Sequence, residues 1–178
     1  MSFENTPLVA RYERRLIIRN KLFWIFAFCV IIGITLSHWI WQGEGLGSSR
    51  WLNRALPSFI PFWNAWFYNL LQGIIVIFFG IDFVWRDRPV TNLAYQTGKV
   101  LGIVEVCLIL NLITMALGIT FHLLFGEPGT FQLKIYLVYL FLLTLPTLSF
   151  VLGIALIVAN RVKNHPLAIL ILLSLFAA

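Results

Sequence analysis

The sequence has few charged residues for its length, and this deficiency already decides its class. Only 11% of the 178 residues are Asp, Glu, Lys or Arg, whereas 60% are hydrophobic, and the mean hydropathy is +0.90. A soluble domain carries about 25% charged residues, so this composition excludes an ordinary soluble domain. The long uncharged runs match the roughly 30 Å of hydrocarbon in a bilayer. The sequence therefore predicts an all-α polytopic membrane protein.

The chain is also poor in the residues that build metal centres and nucleophilic sites. Its two cysteines, Cys29 and Cys107, each lie inside an apolar run, which predicts small buried hydrophobic residues and not a disulfide or a metal site. The histidines, His38, His122 and His165, are dispersed, and neither H-E-x-x-H nor G-x-S-x-G occurs. We therefore expect no catalytic residue, metal or cofactor. An intramembrane enzyme and a membrane scaffold that transports nothing are the alternatives to a transport function.

Four runs are long enough to cross a bilayer, which takes about 20 helical residues. In lipid, backbone N–H and C=O groups must pair within each segment, so these runs are predicted to be helices. A further run after Pro166 has 12 residues, or about 18 Å of helix, and is expected to be a truncated fifth span. The alternative is a short re-entrant or interfacial segment. The predicted spans are 22–42, 62–85, 100–125 and 135–160, with 167–178 as the incomplete fifth.

Lysine and arginine are divided unequally between the two sides of this arrangement. Ten of the 13 lie in the amino-terminal segment and in the loops after the second and fourth spans. Positively charged loops are retained in the cytoplasm, so the amino terminus is predicted to be cytoplasmic. This topology and attraction to anionic headgroups of the lipid bilayer explain the net charge of +6, so no nucleic-acid partner is expected.

The first cytoplasmic segment is predicted to be an amphipathic interfacial helix over residues 6–20. It begins with Thr6, a good N-cap, followed by proline, which is favoured at the first helical position. On a helical period one face of about 100° is mostly apolar and consists of Leu8, Val9, Tyr12 and Leu16. We expect this helix to lie on the membrane surface. The alternative is that the segment serves only as a positive anchor for topology.

The second cytoplasmic segment is a predicted short helix over residues 89–97, between the second and third spans. Pro89 is suited to begin this helix and Gly98 to end it. Its mostly apolar face consists of Val90, Leu93, Ala94 and Thr97, at helical spacing. Lipid headgroups or the groove of a partner protein would bury this face equally well, and periodicity does not choose between them.

The residues around this loop carry a resemblance to a known family. They are Asp82 and Arg86 in DFVWR, then Arg88-Pro89-Val90, Leu93, Tyr95 and Gly98-Lys99-Val100-Leu101-Gly102. With the preceding amphipathic helix and two spans, this order resembles the amino-terminal part of the permease subunit of type-two ATP-binding-cassette exporters. The resemblance implies a multi-pass protein of a bacterial inner (plasma) membrane that pairs with a second permease half, as a homodimer or a heterodimer.

The same resemblance implies a partner that binds ATP. In this family a coupling helix in the loop docks on a separate nucleotide-binding ATPase subunit, and the first helix is a connecting helix. The residues that the resemblance assigns to ATPase coupling are Arg88, Pro89, Val90, Leu93, Ala94 and Thr97. The chain itself lacks a phosphate-binding loop, because its only Gly-Lys, at Gly98, has Leu93 and Val100 where that loop requires glycine and a hydroxyl. The permease is therefore expected not to be an enzyme.

Charged residues near the inner ends of the second and third spans are predicted to form a polar brace. Glu105 lies about one and a half helical turns beyond Lys99, so its carboxylate is expected to reach interfacial water or to pair with Arg86 or Lys99. A direct contact between Glu105 and substrate is the alternative. The predicted brace consists of Asp82, Arg86, Lys99 and Glu105. The other polar span residues, Asn69, Gln72 and Asn111, are expected to bond to neighbouring helices, at about 1 kcal/mol each.

Overall fold

In the computed structural model the described part of the chain is helical throughout, with short connections and no β-strand. It covers residues 6–42, 56, 58–86, 93–126 and 129–177. The helices are α1 (Thr6–Arg19), α2 (Lys21–Gln42), α3 (Phe59–Arg86), α4 (Leu93–Phe125), α5 (Leu133–Tyr139), a π-helical turn (Leu140–Thr144), α6 (Leu145–Arg161) and α7 (His165–Ala177).

Four helical segments of the described chain are long and apolar enough to cross a membrane. They are Lys21–Trp41 in α2, Phe59–Asp82 in α3, Ala94–Phe125 in α4, and Leu133–Arg161, which joins α5, the π-helical turn and α6. This confirms the prediction of an α-helical polytopic membrane protein. The apolar helix α7 has 13 residues, fewer than the roughly 20 that a span requires.

Helix α3 lies at the centre of the bundle and packs against α2, α4, α5, α6 and α7. Its residues Ile75, Val76, Ile77 and Ile81 are almost completely buried. Gly80 allows α6 to approach closely, because a Cβ atom at this position would lie 3.3 Å from the Cβ of Ala155. Small residues at such crossings favour helix association in lipid, where apolar side chains gain little by leaving the solvent.

The fourth span contains a local widening in place of a simple proline kink. The π-helical turn Leu140–Thr144 directly precedes Pro146. Proline has no N–H, and its ring clashes with the carbonyl group four residues earlier, here that of Leu142. In a π-helical turn each hydrogen bond spans five residues instead of four. The turn therefore accommodates the proline within one continuous span.

Helix α4 runs without interruption from Leu93 to Phe125, so the prediction that a helix ends at Gly98 is wrong. Gly98 lies against α1: a Cβ atom there would be 2.7 Å from the Cβ of Val9, and one at Gly102 would be 2.8 Å from the carbonyl oxygen of Ala10. The two glycines therefore allow close helix packing instead of terminating a helix. Residues 89–92 of the predicted coupling helix lie outside the described residues.

The predicted apolar face of helix α1 is divided between the interior of the protein and its exposed surface. Its buried residues are Val9, Ala10, Glu13 and Ile17, whereas Leu8 and Tyr12 are more than 60% exposed. The hydroxyl of Thr6 has no hydrogen-bond partner, so the predicted N-cap does not form. One side of α1 packs on α4, and a second, partly apolar side is left for the membrane surface.

Candidate functional site

A buried ion pair joins α1 to the beginning of α4. Nζ of Lys99 lies 3.5 Å from Oε1 of Glu13, and the two side chains are 2% and 3% exposed. The same ammonium group lies 5.1 Å from the centre of the Tyr95 ring, within the range of a cation–π interaction. Removing one charge of a buried ion pair is usually strongly destabilising, and this pair joins α1 to α4.

A second ion pair joins the same two helices, between the next residue of α1 and a residue about one and a half turns further along α4. Nη1 of Arg14 donates a hydrogen bond of 3.1 Å to Oε2 of Glu105, and both side chains are partly exposed. The predicted pairing of Glu105 with Lys99 is therefore corrected: Glu105 pairs with Arg14, and Lys99 pairs with Glu13. The physical reason is the close packing of α1 on α4, which brings side chains of α1 nearer to both residues. The predicted pairing with Arg86 involves a side chain outside the described residues.

The four residues of the predicted brace are thus divided. Lys99 and Glu105 belong to the α1–α4 contact, which we call the clamp and define by the pairs Glu13–Lys99 and Arg14–Glu105. Asp82 is exposed near the end of α3, and the side chain of Arg86 lies outside the described residues.

The residues assigned to ATPase coupling are only partly within the described chain. Arg88, Pro89 and Val90 lie outside it, and of Leu93 only the backbone is described, at the first position of α4. Ala94 is 4% exposed and Thr97 is half-buried. Ala94 is therefore covered by residues of its own chain, and it cannot offer a docking surface without a rearrangement.

A group of polar side chains occupies the opposite end of the bundle from the clamp. Nδ1 of His122 in α4 lies 2.9 Å from the hydroxyl of Tyr136 in α5, and its Nε2 lies 3.1 Å from the hydroxyl of Thr130. All three side chains are buried. His122 therefore ties α4 to α5 and to the segment that connects them.

The hydrogen-bonded group extends to the first two spans. The amide nitrogen of Asn64 in α3 donates to Nε2 of His38 in α2 over 2.9 Å, and Asn64 also hydrogen-bonds to Tyr136. Gly118 leaves room for this amide, because a Cβ atom there would lie 2.7 Å from it. A chain of hydrogen bonds thus crosses all four spans; its members are His38, Asn64, Tyr136, His122 and Thr130, which we call the distal polar cluster.

A small cavity adjoins the distal polar cluster. Its volume is about 30 Å³, which accommodates about two water molecules. It lies between α3, α4 and the α5–α6 span, and its lining carries amide, phenol and hydroxyl groups but no charge. The polar lining residues are Asn64, Tyr68, Asn111, Thr114, Tyr136, Tyr139 and Thr144. Such a lining can hydrogen-bond to water or to another uncharged ligand.

The distal polar cluster was missed by the sequence analysis, which dismissed the histidines because they match no metal motif. In the described part of the chain no group of three or more His, Cys, Asp or Glu residues is placed to hold a metal ion. The membrane depth of residues in the distal polar cluster is a signal that the sequence does contain. Each of the four predicted spans has one of these residues within a few positions of its end on the same side of the membrane: His38, Asn64, His122 and Tyr136. Polar residues at equal depth in different spans are candidates for interhelical hydrogen bonds.

Replacing His122 by leucine is expected to lower the free energy of unfolding by about 1–3 kcal/mol, because it removes one buried hydrogen bond between spans and one to the segment that connects them. Unfolding of the detergent-solubilised protein measures this loss. The control is Thr120→Val on the same helix, which removes an exposed hydroxyl bonded only to its own backbone and should change little. Equal stability of the two variants would contradict the bonds assigned to His122.

No protein-family model, curated protein or solved structure matches the chain. The fold places the chain in the class of polytopic α-helical membrane proteins, through its four apolar helices. Any assignment of function within that class depends on the residues of the chain itself.

Proposed function

We propose that this chain is the membrane-spanning permease subunit of an ATP-driven ATP-binding-cassette exporter. A separate ATPase subunit drives it through the loop between α3 and α4. The observation that carries the proposal is the clamp, in which buried Glu13 and Lys99 fix the amphipathic helix α1 to the start of α4. The clamp joins α1, which resembles the connecting helix of exporter permeases, to the helix that follows the predicted coupling loop.

The clamp supplies a physical means of transmitting force. Residues 87–92 immediately precede α4 in the sequence, and the backbone of α1 lies against Gly98 and Gly102. Closely packed helices move as units because packed interfaces do not deform continuously. Closure of two ATPase subunits would therefore move the loop, α1 and the start of α4 together. This movement would rock the spans of the two permease halves between inward-open and outward-open forms. ATP is bound and hydrolysed by the partner, and this chain contributes no chemistry.

The proposed topology places the clamp on the cytoplasmic side of the inner membrane and the distal polar cluster on the outer side. Arg11, Arg15 and Arg19 of α1 are exposed and are suited to contact anionic headgroups. This arrangement satisfies the bias of lysine and arginine towards cytoplasmic segments. Helix α7 packs against α3 and α6.

Copurification with the ATPase encoded beside this chain tests the proposal. The loop variant carries Arg88→Glu and Val90→Asp, and Ala94 is left unchanged because it is buried in its own chain. The matched control carries Lys134→Glu and Leu133→Asp at the other end of the bundle, where both residues are exposed. The two variants change the same residue classes and the same net charge.

We expect the ATPase to copurify with the wild type and the control, and to be reduced at least about tenfold with the loop variant, since two new carboxylates would face a docked partner. Circular dichroism and size-exclusion chromatography verify that both variants are folded. Absence of ATPase from the wild-type preparation would contradict the exporter assignment. Equal retention by the loop and control variants would contradict the role of the loop.

A further inference from the structure

Two buried amide side chains in the middle of α3 have no hydrogen-bond partner. Asn69 is 7% exposed and Gln72 is 1% exposed, yet neither the oxygen nor the nitrogen of either side chain is bonded. Gln72 is the fourteenth residue of the 28 in this helix and so lies near the centre of the bundle. Buried polar groups are nearly always paired, and the exceptions call for an explanation, such as a ligand or a water molecule that bonds to them.

These amides continue the surface that lines the cavity. Asn69 follows Ala65 by one helical turn, Gln72 follows Tyr68 by one turn, and both Ala65 and Tyr68 line the cavity. We call this surface the polar face of α3. Its members are Asn64, Tyr68, Asn69 and Gln72. It leads from the distal polar cluster, through the cavity, to the middle of the membrane.

The polar groups of this surface favour an uncharged ligand. The polar face of α3 and the polar side chains of the cavity carry donors and acceptors without a formal charge. A charged ligand would lose its hydration here and meet no counter-charge, and a purely apolar ligand would leave the amides unpaired. The charged residues of α3 and α4, Asp82, Arg86, Lys99 and Glu105, all lie in the halves of these helices towards the clamp.

We propose that the polar face of α3 forms the outer half of a translocation path and binds an uncharged, hydroxyl-bearing part of the cargo. This inference depends on the proposed transport function. In this structure the cavity has room for about two water molecules. Separation of α3 from the α5–α6 span admits the cargo, whose hydroxyl groups then supply the hydrogen bonds that Asn69 and Gln72 lack.

Chemical labelling of single cysteines tests this proposal in the full chain, reconstituted with its ATPase in vesicles. The background carries Cys29→Ser and Cys107→Ala. Cysteine is introduced by Asn69→Cys or Gln72→Cys, or by Ala65→Cys, which adds only a sulfur atom at the cavity and so preserves folding. The control is Leu70→Cys, at the same depth but 38% exposed on the surface of the bundle.

Three methanethiosulfonate reagents of similar size are added from the outer side, with and without ATP. One carries an uncharged hydroxyethyl group, one a sulfonatoethyl group and one a trimethylammonioethyl group. Each rate is divided by the rate of the same reagent with a free thiol in water. The hydroxyethyl reagent thus serves as the probe for an uncharged, hydroxyl-bearing ligand.

During ATP turnover we expect the hydroxyethyl reagent to modify cysteines 65, 69 and 72 at least about tenfold faster than either charged reagent, since a charge in mid-membrane is strongly disfavoured. Labelling at position 70 should not respond to ATP. Equal rates for the three reagents would overturn the selection for an uncharged group.

Failure of this inference is distinguishable from failure of the proposed function. If the ATPase copurifies but positions 65, 69 and 72 stay unmodified in every state, the exporter assignment stands and the path along α3 is overturned. If positions 65, 69 and 72 react selectively with the hydroxyethyl reagent although no ATPase binds, the site for an uncharged ligand stands and the ATP-driven function fails.

Discussion

Replacing Lys99 by alanine is expected to lower the free energy of unfolding by about 3–5 kcal/mol, because it removes the cation from a buried carboxylate. The side chains of Lys99 and Glu13 are 2% and 3% exposed, so water does not take over the role of the lost ammonium group. The measurement is unfolding of the detergent-solubilised protein by denaturant. Lys163→Ala, which removes an exposed ammonium group, is the control and should change stability little.

A paired substitution separates the loss of the ion pair from the burial of a single charge. Glu13→Met combined with Lys99→Met fills similar volumes without any charge, and such replacements are often neutral or stabilising. We therefore expect the double variant to be more stable than Lys99→Ala. If Lys99→Ala were as stable as Lys163→Ala, the buried pair would not hold α1 to α4.

Replacing Gly102 by leucine is expected to detach α1 from α4 and to destabilise the protein by at least about 3 kcal/mol, through overpacking and loss of the neighbouring ion pairs. A Cβ atom at this position would lie 2.8 Å from the carbonyl oxygen of Ala10 and 2.9 Å from the Cβ of Glu13. Neither atom is the mobile end of a side chain, so the helix itself must shift.

Limited digestion with trypsin detects this displacement, because a released α1 exposes the backbone at Arg11, Arg14, Arg15 and Arg19 to the protease. Gly153→Leu is a matched control, since nothing lies within 4 Å of a Cβ atom at Gly153. We expect rapid cleavage within α1 in the Gly102 variant only. Wild-type resistance in that variant would show that α1 does not depend on close contact at Gly102.

The sequence was sufficient for the membrane class but not for the contacts of α1. Run length alone predicts membrane-spanning helices, because it must match the thickness of the bilayer. The clamp joins residues far apart in the chain, since Arg14 and Glu105 are separated by 91 positions, and helical periodicity does not identify the partner of a face. The sequence around Gly98 is compatible both with a helix end and, through the Gly98-x-x-x-Gly102 spacing, with close helix packing, and the structure has the packing.

The polar residues of the spans show the same limit. Asn69 and Gln72 were expected to bond to neighbouring helices, yet the structure gives them no partner. Asn111 does bond to Tyr68 of another span. Whether such a residue finds a partner depends on which side chains of adjacent helices lie at the same depth. The rotation and crossing angle of each helix decide this, and no local sequence pattern specifies either of them.

The most direct test of an ATP-driven permease is a pair of spin-label distances in the protein reconstituted with its ATPase. One pair, at Tyr12 and Leu101, reports on α1 and α4 near the clamp; the other, at Trp39 and Leu133, reports on the distal end, and all four residues are exposed. Trapping the ATPase with vanadate should change the Trp39–Leu133 distance by about 5 Å or more. The Tyr12–Leu101 distance should stay within about 1 Å, because the clamp moves as a unit. A distal distance that does not respond to ATP would contradict the account.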